Sequence, residues 1–307
     1  MKVKVLLGVF LLLGIGSWIY INRYSYFKYL PAADEKQLIN VDGKLCDKSG
    51  KPFSGRVKRV SDDYVDIYSY KDGELDGLNV IYYKSLVKEI GHWKNGEQNG
   101  LFQMYTENGL LIDNANFKDG QRHGVAEEYY NDTGKLRTLI NYKNGTFDGE
   151  FKSYYPNGNI QIEANYKNDV IDGAYKEYYD NKSIKIIGNY KESLQDGEWR
   201  IYLGNGKLKS LVNYKDGALN GIKEDYYANG NLWTRRGFEN NTQEGVYEVY
   251  YKNGSPQFKA VVRNGVIVEE QKFDGNCMIY NEQEDKIIIK EIVSDSSDQM
   301  ADSKSKK

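Results

Sequence analysis

Residues 142–158 read YKNGTFDGEFKSYYPNG, and residues 214–230 read YKDGALNGIKEDYYANG. Both stretches begin with Tyr-Lys-Asn/Asp-Gly, have a second glycine four residues later, and end with a Tyr-Tyr pair and an Asn-Gly. They start 72 residues apart, which is three times 24. This spacing predicts a tandem array of copies of about 24 residues, so the repeat determines the architecture.

The second glycine of each copy, here called the anchor glycine, defines the period. Eight anchors follow one another at intervals of 23, 24, 25, 24, 24, 24 and 24 residues. Most end an Asp-Gly, Asn-Gly or similar pair, so they are predicted to be structural glycines of turns. The anchors are Gly77, Gly100, Gly124, Gly149, Gly173, Gly197, Gly221 and Gly245. Gly55 is predicted to anchor a degenerate first copy, and Gly275 a divergent last copy.

Two aromatic positions keep the same register. An aromatic residue lies seven positions before each anchor, as Tyr142 does before Gly149. A tyrosine lies five positions after each anchor, and Tyr280 has the same place after Gly275. The tyrosines of the eight copies are Tyr82, Tyr105, Tyr129, Tyr154, Tyr178, Tyr202, Tyr226 and Tyr250. Because a regular array places equivalent positions side by side, these tyrosines are predicted to form a ladder.

Each copy is predicted to be a β-hairpin. An Asn-Gly between two alternating stretches favours a two-residue primed turn, which needs positive φ at both central residues. In the copy anchored at Gly149, EFKSYY is the first strand and NIQIEANY the second, with Ile160 and Ile162 expected on one face. The turn into the next copy lacks its glycine in three places and is expected to be looser there. The replacements are Asp169, Ser193 and Asn241.

The predicted fold class is all-β: an elongated single-layer antiparallel sheet of tandem β-hairpins, preceded by one N-terminal hydrophobic helix. Positions two and four after the anchor are mainly apolar, as at Trp199 and Ile201, and predict the buried face. The tyrosine at position five shares the other face with polar residues at position three, such as Lys152. These tyrosines are interpreted as braces of a thin sheet and as a partner-binding surface, two roles that are compatible.

The N-terminus predicts export. Lys2 and Lys4 precede an uncharged, mainly apolar run over residues 5–21, and a cluster of aromatic residues follows, as in an interfacial belt. A helix of that length is about 25 Å long, at the short end of what crosses a bilayer. An uncleaved anchor in the cell membrane, with the repeats facing outside the cytoplasm, is therefore expected. The alternative is a signal peptide with its cleavage site at residues 14–16, which leaves a secreted or periplasmic protein.

Five segments are predicted along the chain. They are an N-terminal anchor or signal peptide (1–30), a linker (31–42), the repeat array (43–280), a capping strand (281–293) and a disordered polar tail (294–307). Cys46 and Cys277 lie near opposite ends of an array that is about 80 Å long by its strand number. They are predicted to be free thiols or linked between molecules, because a disulfide needs Cα atoms within about 7 Å.

Composition and pattern argue against several classes of function. With 42 Lys+Arg against 44 Asp+Glu, nothing indicates a nucleic-acid partner. An enzyme site is a convergence of unlike groups, whereas this chain spreads like groups at even intervals. Its two histidines, His92 and His123, have no ligand-spaced partners, and His123 has a turn position where other copies have Asp or Asn. A non-enzymatic protein without metal or cofactor is expected.

The copies resemble the MORN-repeat-variant family. Its units follow the pattern aromatic-Lys-[Asn/Asp]-Gly-x-x-[Asp/Asn]-Gly-x4-Tyr-Tyr-x-Asn-Gly-x-[Leu/Ile], which residues 214–232 match throughout. The resemblance covers about residues 43–280. It implies a protein-interaction array; some members of the family are described as antitoxins, and classical MORN repeats are linked to membrane association and scaffolding.

Three functions are compatible with these observations. The main hypothesis is an envelope-tethered, non-enzymatic scaffold that binds one or more protein partners on its aromatic and polar face. A carbohydrate-binding cell-wall module is the first alternative, although only four tryptophans are present. An antitoxin or immunity protein of a toxin–antitoxin pair is the second, and it fits an exported N-terminus poorly.

Overall fold

A computed structural model describes residues 24–273 of the 307-residue chain. Within that range the chain forms strands and two short 3-10 helices, Phe27–Tyr29 and Glu35–Gln37, and Tyr24 and Ser25 are α-helical. The strands are β1 (Ala33–Asp34), β2 (Ile39–Val41), β3 (Lys44–Cys46), β4 (Gly55–Ser61), β5 (Tyr64–Lys71), β6 (Glu74–Leu75), β7 (Gly77–Tyr83), β8 (Leu86–Lys94), β9 (Glu97–Tyr105), β10 (Leu111–Lys118), β11 (Gln121–Arg122), β12 (Gly124–Tyr129), β13 (Leu136–Lys143), β14 (Thr146–Tyr154), β15 (Ile160–Lys167), β16 (Val170–Ile171), β17 (Gly173–Tyr178), β18 (Ile184–Lys191), β19 (Leu194–Tyr202), β20 (Leu208–Lys215), β21 (Ala218–Tyr226), β22 (Leu232–Glu239), β23 (Thr242–Tyr250), β24 (Pro256–Arg263) and β25 (Val266–Lys272). The all-β class predicted from the repeat is confirmed.

Several predicted segments lie outside the described residues. They are the N-terminal hydrophobic helix over 5–21, the copy beginning at Gly275 with Cys277 and Tyr280, the capping strand over 281–293 and the polar tail over 294–307. Between Tyr24 and Phe273, no helix has the length and apolar character needed to cross a membrane.

One sheet contains 23 of the described strands, and β2 and β3 form a separate antiparallel pair. From β4 to β25 the long strands follow one another in chain order, each antiparallel to its neighbour. The short strands β6, β11 and β16 extend β7, β12 and β17 toward the preceding turn, and β1 pairs in parallel with β4. Successive hairpins therefore pair edge to edge in a single elongated layer, as predicted.

The anchor glycines lie at β-bulges in the first strand of each copy, so their predicted place in turns is wrong. All eight have positive φ, from 76° at Gly197 to 117° at Gly149. Between β13 and β14 the register shifts at this point, from Ile140 opposite Phe151 to Tyr142 opposite Phe147. A bulge of this kind needs a residue in the left-handed region, which glycine adopts without steric cost.

The two-residue primed turns connect successive copies rather than the two strands of one copy. Asn144 and Gly145, between β13 and β14, have φ values of 50° and 84°. Asn157-Gly158, between the two strands of the same copy, does not form a primed turn. Only Gly158 of this loop has positive φ, 88°, and its N–H donates to the Tyr155 carbonyl at 2.8 Å. Pro156 has a fixed negative φ, which suits the second position of a type I turn. Copies without this proline form the same loop, as the bond from the Gly230 N–H to the Tyr227 carbonyl at 2.8 Å shows. The prediction of primed turns between the two strands of one copy is therefore wrong. The loops at these positions are type I turns closed by a left-handed glycine.

The three turns without glycine are as tight as the others. Asp169, Ser193 and Asn241 have φ values of 65°, 67° and 66°. Their N–H groups donate to carbonyls of the preceding copy at 2.9, 2.8 and 3.0 Å, and the N–H of Gly145 does the same at 2.9 Å. Because this copy-to-copy bond holds each turn in the left-handed conformation, the predicted loosening is wrong.

A second bulge in each copy changes which side chains share a face. Ile162 lies opposite Ser153, whereas Ile160 lies opposite Tyr154, so Gln161 is the extra residue of β15. Adjacent residues of a strand point to opposite faces, and Ile160 therefore shares a face with Tyr154 rather than with Ile162. The expectation that both isoleucines face the same way is wrong.

One face of the sheet, here called the aromatic face, carries the side chains two positions after and seven positions before the anchors. Its densest part surrounds Trp199, which is 4 % exposed. The Trp199 ring centroid lies 5.0 Å from that of Tyr190, 5.8 Å from Tyr175 and 6.3 Å from Tyr214. Aromatic pairs of this kind contribute about 0.5–1.5 kcal/mol each beyond their burial. The predicted apolar face is thus confirmed in the later copies.

The largest buried cluster lies on the opposite face, at the N-terminal end of the array. It joins Tyr24 with Ile67, Val80, Tyr82, Val87, Ile90 and Tyr105. The predicted linker over 31–42 is part of this end, because β1 pairs with Val57 and Lys58 of β4 and Glu35 forms an ion pair with Arg59. The linker assignment is therefore wrong: backbone pairing and a surface ion pair hold this segment on the sheet.

Cys46 is buried, with 2 % of its surface exposed, and is a free thiol. It lies at the end of β3, next to the N-terminal edge of the large sheet, and its backbone forms an isolated antiparallel β-bridge with Pro52. This agrees with the predicted free state of Cys46.

Gly188 gives a direct test of the aromatic face. A Cβ at this position would lie 2.2 Å from the Trp199 ring, so Gly188→Ala forces Trp199 to move and should lower the free energy of unfolding by about 1–3 kcal/mol. The matched control is Gly204→Ala, where nothing lies within 4 Å of the added carbon, and a change within about 0.5 kcal/mol is expected. Urea denaturation followed by tryptophan fluorescence measures both; equal losses would contradict the packing described.

Candidate functional site

The eight predicted tyrosines lie on one face of the sheet, one in each copy, and this face is here called the tyrosine face. Tyr82 and Tyr105 are buried, at 0 % and 4 % exposed, beneath the segment that begins at Tyr24. The other six are half-buried. The structure therefore brings the predicted ladder together, with a covered part in the first two copies and an open part in the later ones.

The tyrosine hydroxyls are held by polar side chains of the same face. Tyr129 donates to Glu127 at 2.8 Å, and Tyr250 donates to Glu248 at 2.9 Å. Tyr105 donates to Gln103 at 3.0 Å, and Tyr226 donates to Glu224. In each case the acceptor is the residue two positions earlier, which is the predicted polar neighbour at position three. These bonds fix the rings, of which Tyr129, Tyr226 and Tyr250 remain half-exposed.

Burial keeps the hydroxyls of Tyr178 and Tyr226 neutral. Burial raises the pKa of Tyr178 to about 12, and the hydrogen bond that its hydroxyl donates to Glu163 at 2.7 Å raises this pKa further. Burial and then Glu224 raise the pKa of Tyr226 to about 12 in the same way. Both side chains therefore remain hydrogen-bond donors at neutral pH.

Amide and carboxylate side chains link the second and third copies, anchored at Gly100 and Gly124, across the tyrosine face. Gln103 Nε2 donates to Asn114 Oδ1 at 3.1 Å, and Asn114 Nδ2 donates to Glu127 Oε2 at 2.8 Å. Tyr105 and Tyr129 close the two ends of this row through Gln103 and Glu127. Such a network is rigid because every member orients its neighbour.

Charged side chains continue the same row at the C-terminal end. Arg235 lies between Glu224, at 2.8 Å, and Glu248, at 3.4 Å. Lys259 pairs with Glu248 at 3.2 Å. Opposite charges directly across neighbouring strands stabilise a sheet by roughly 0.2–1 kcal/mol per pair. These ions therefore neutralise one another and do not converge on a reacting group.

The two histidines have backbone partners. His92 Nδ1 lies 3.0 Å from the Leu101 carbonyl oxygen, and His123 Nδ1 lies 3.4 Å from the N–H of Asn144. Asp172 accepts from the N–H of Glu192 at the equivalent turn, at 3.3 Å, so His123 has the predicted role of a turn residue. Across residues 24–273, no three His, Cys, Asp or Glu side chains are close enough to hold a metal ion.

A second tyrosine ladder was not recognised in the sequence. The tyrosine at position six of one copy donates its hydroxyl to the carbonyl of the position-five tyrosine of the next copy. These bonds are Tyr130 to Tyr154 (2.7 Å), Tyr155 to Tyr178 (2.8 Å), Tyr179 to Tyr202 (2.9 Å) and Tyr227 to Tyr250 (2.8 Å). The Tyr-Tyr pair in the repeated motif was the available signal, since only its first member has a place on the tyrosine face.

Sequence comparison identifies the repeated unit. The profile described as MORN repeat variant matches residues 122–144, 147–168, 171–192, 195–216 and 243–264. These five repeats belong to the MORN repeat variant family. Each of these MORN units covers the two strands of one hairpin, and the family predicted from the sequence motif is confirmed.

Other comparisons add little to the family assignment. No curated protein matches this chain. Among solved structures, the crystal structure of TcdB2-TccC3-Cdc42 is similar at 10 % sequence identity, with a TM-score of 0.19, over 75 % of this chain and 15 % of that chain.

The second tyrosine ladder should contribute to the stability of the MORN array. Tyr179→Phe removes the hydroxyl that donates to Tyr202 and leaves its carbonyl without that partner, so a loss of about 0.5–1.5 kcal/mol is expected. Tyr166→Phe is the matched control, because the same position is Phe117 and Phe238 in other copies. Denaturant titration compares the two variants, and a neutral Tyr179→Phe would refute a stabilising role.

Proposed function

We propose that the chain is an envelope-tethered, non-enzymatic scaffold that binds protein partners through its tyrosine face. The observation that carries this proposal is the repetition on that face. Six successive copies, from the one with Tyr129 to the one with Tyr250, present a half-buried tyrosine beside a polar side chain at the same two positions. No other segment of residues 24–273 packs as a second layer on this part of the sheet.

The chemistry of these side chains suits protein contacts. Tyrosine offers a large apolar ring and a hydroxyl with few rotatable bonds, which is why it is enriched in interfaces. The hydrogen bonds to Glu127, Glu224 and Glu248 already hold three of these rings in place. A partner then loses less free energy to side-chain ordering when it binds.

The geometry of the array suits an extended contact. Two strands per copy at about 4.8 Å each place equivalent groups about 10 Å apart. Six copies thus give a surface on the order of 60 Å long, which can hold one elongated partner or several small ones.

The envelope location is proposed from the sequence of residues 5–21. That apolar run, with Lys2 and Lys4 before it, is typical of a membrane anchor or a signal peptide. Either form carries the repeats out of the cytoplasm.

Site-specific photo-crosslinking in intact cells tests the proposal. A benzophenone amino acid in place of Tyr178 or Tyr202 should form a discrete adduct with one or a few proteins. The same probe in place of Lys252, an exposed turn residue at the sheet margin, is the matched control and should give little adduct. Fractionation of the same cells should recover the chain with the envelope.

Absence of an adduct at every position of the tyrosine face would contradict the proposed function. Sedimentation of the chain with purified cell wall, without any protein adduct, would support the carbohydrate-binding alternative instead.

A further inference from the structure

The first two copies show how the tyrosine face holds a peptide segment. Tyr24 is 7 % exposed and packs into the cluster that contains Val80 and Tyr82. The Tyr82 hydroxyl donates to the backbone carbonyl of Tyr24 at 2.5 Å. Phe27 packs against the same cluster and lies beneath the Arg56 guanidinium at 5.4 Å. The seated segment thus contributes a backbone acceptor and aromatic side chains.

The copies anchored at Gly149, Gly173 and Gly197 repeat that seat without a cover. Tyr154, Tyr178 and Tyr202 have the position of Tyr82 and are half-buried. Among residues 24–273, the hydroxyls of Tyr154 and Tyr202 have no hydrogen-bond acceptor, although the Arg200 side chain is hydrogen-bonded to the Tyr202 hydroxyl, whereas Tyr178 donates to Glu163. Two hydroxyl donors therefore point to the open face at positions where Tyr82 holds a peptide carbonyl.

Charge distinguishes these three copies from the first. Position three after the anchor is apolar Val80 in the first copy, and basic Lys152, Lys176 and Arg200 in the three open copies. Lys152 pairs with Glu150 at 2.6 Å and Arg200 with Glu198 at 2.6 Å. Lys176 is exposed and forms no ion pair with another described residue. Glu163 of β15 lies directly opposite Lys176 on the same face. A segment seated here would therefore meet cations with carboxylate neighbours where Tyr24 meets an aliphatic side chain.

An apolar contact lies between the cations. Ile187 is half-buried on β18, directly opposite Lys176 of β17 on one side and Arg200 of β19 on the other. All three side chains share the tyrosine face, because opposite residues of paired strands point the same way. An aromatic ring laid on Ile187 would therefore lie between Lys176 and Arg200.

We propose that this part of the tyrosine face binds a linear segment of a partner protein that contains an aromatic residue flanked by carboxylates. The Tyr154 and Tyr202 hydroxyls donate to its backbone carbonyls, as Tyr82 does to Tyr24. Lys176 and Arg200 attract its carboxylates, and Ile187 receives its aromatic ring. The inference rests on the proposed function and adds to it the place of contact and the chemistry of the partner.

Binding of synthetic peptides to the full-length chain in detergent tests this inference. The probe is a fluorescein-labelled peptide of tyrosine and glutamate residues in a glycine-serine background, measured by fluorescence anisotropy. One control peptide has lysine in place of glutamate, and another has alanine in place of tyrosine. The tyrosine-glutamate peptide should bind at least about tenfold more tightly than either control, and its affinity should fall with added salt.

Variants locate the contact. Lys176→Glu should weaken binding of the tyrosine-glutamate peptide about tenfold or more by reversing the unpaired charge, and Tyr202→Phe about threefold to tenfold by removing one donor. Lys252→Glu makes the same charge change at an exposed turn of a later copy and should change the affinity less than about twofold. Circular dichroism of each variant confirms that the sheet is retained.

Two outcomes would overturn the inference. One is equal binding of the glutamate and lysine peptides, and the other is unchanged affinity of a folded Lys176→Glu variant. If photo-crosslinking captures a partner from the tyrosine face and Lys176→Glu leaves that capture unchanged, the proposed function stands and this inference fails. If no partner is captured at any position, the proposed function itself fails.

Discussion

Edge-to-edge pairing of successive hairpins is the constraint on which the rest of the structure depends. A single hairpin of about 24 residues has no interior of its own and is marginal in water. Here the second strand of each copy pairs with the first strand of the next, as β13 does with β14. The N–H of each inter-copy turn also donates to a carbonyl one copy earlier, as Gly145 does to Arg122 at 2.9 Å. Because every copy contacts only its neighbours, stability is distributed along the array, and surface increases with each copy.

The different side-chain contacts on the two faces follow from that pairing. On the aromatic face, rings around Trp199 cover one another and small residues such as Gly188 leave space for them. On the tyrosine face, polar residues and tyrosine hydroxyls satisfy one another, so that rings remain half-buried and fixed. The N-terminal segment covers this second face only at its first two copies, where Val80 and Ile90 make it apolar. The part that is left open is the part in which the charged side chains occur.

Periodicity predicted most of the architecture because one mismatch in a repeat is outweighed by seven agreements. The hairpin, the single layer, the ladder of tyrosines and their polar neighbours all follow from spacing and alternation. Turn types did not, since Asn144-Gly145 and Asn157-Gly158 are the same residue pair. They differ in their backbone bonds: the N–H of Gly145 donates to Arg122 of the preceding copy, and the N–H of Gly158 donates to Tyr155 within its own loop. Bulges were also missed, because alternation assumes an unbroken register, and the bulge at Gln161 reverses the face of Ile160. The cover formed by Tyr24 depends on tertiary contact, which a period cannot show.

Distance measurement between spin labels tests the elongated single-layer array most directly. Labels at Glu107→Cys and Lys252→Cys, two exposed turn positions six copies apart, would be used in a chain with Cys46 and Cys277 replaced by serine. Twelve intervening strand spacings of about 4.8 Å predict a distance of roughly 55–65 Å, and labels at Ala228→Cys and Lys252→Cys, one copy apart, should lie about 10 Å apart. A distance below about 30 Å for the distant pair would show that the copies fold back on one another, and would contradict the account.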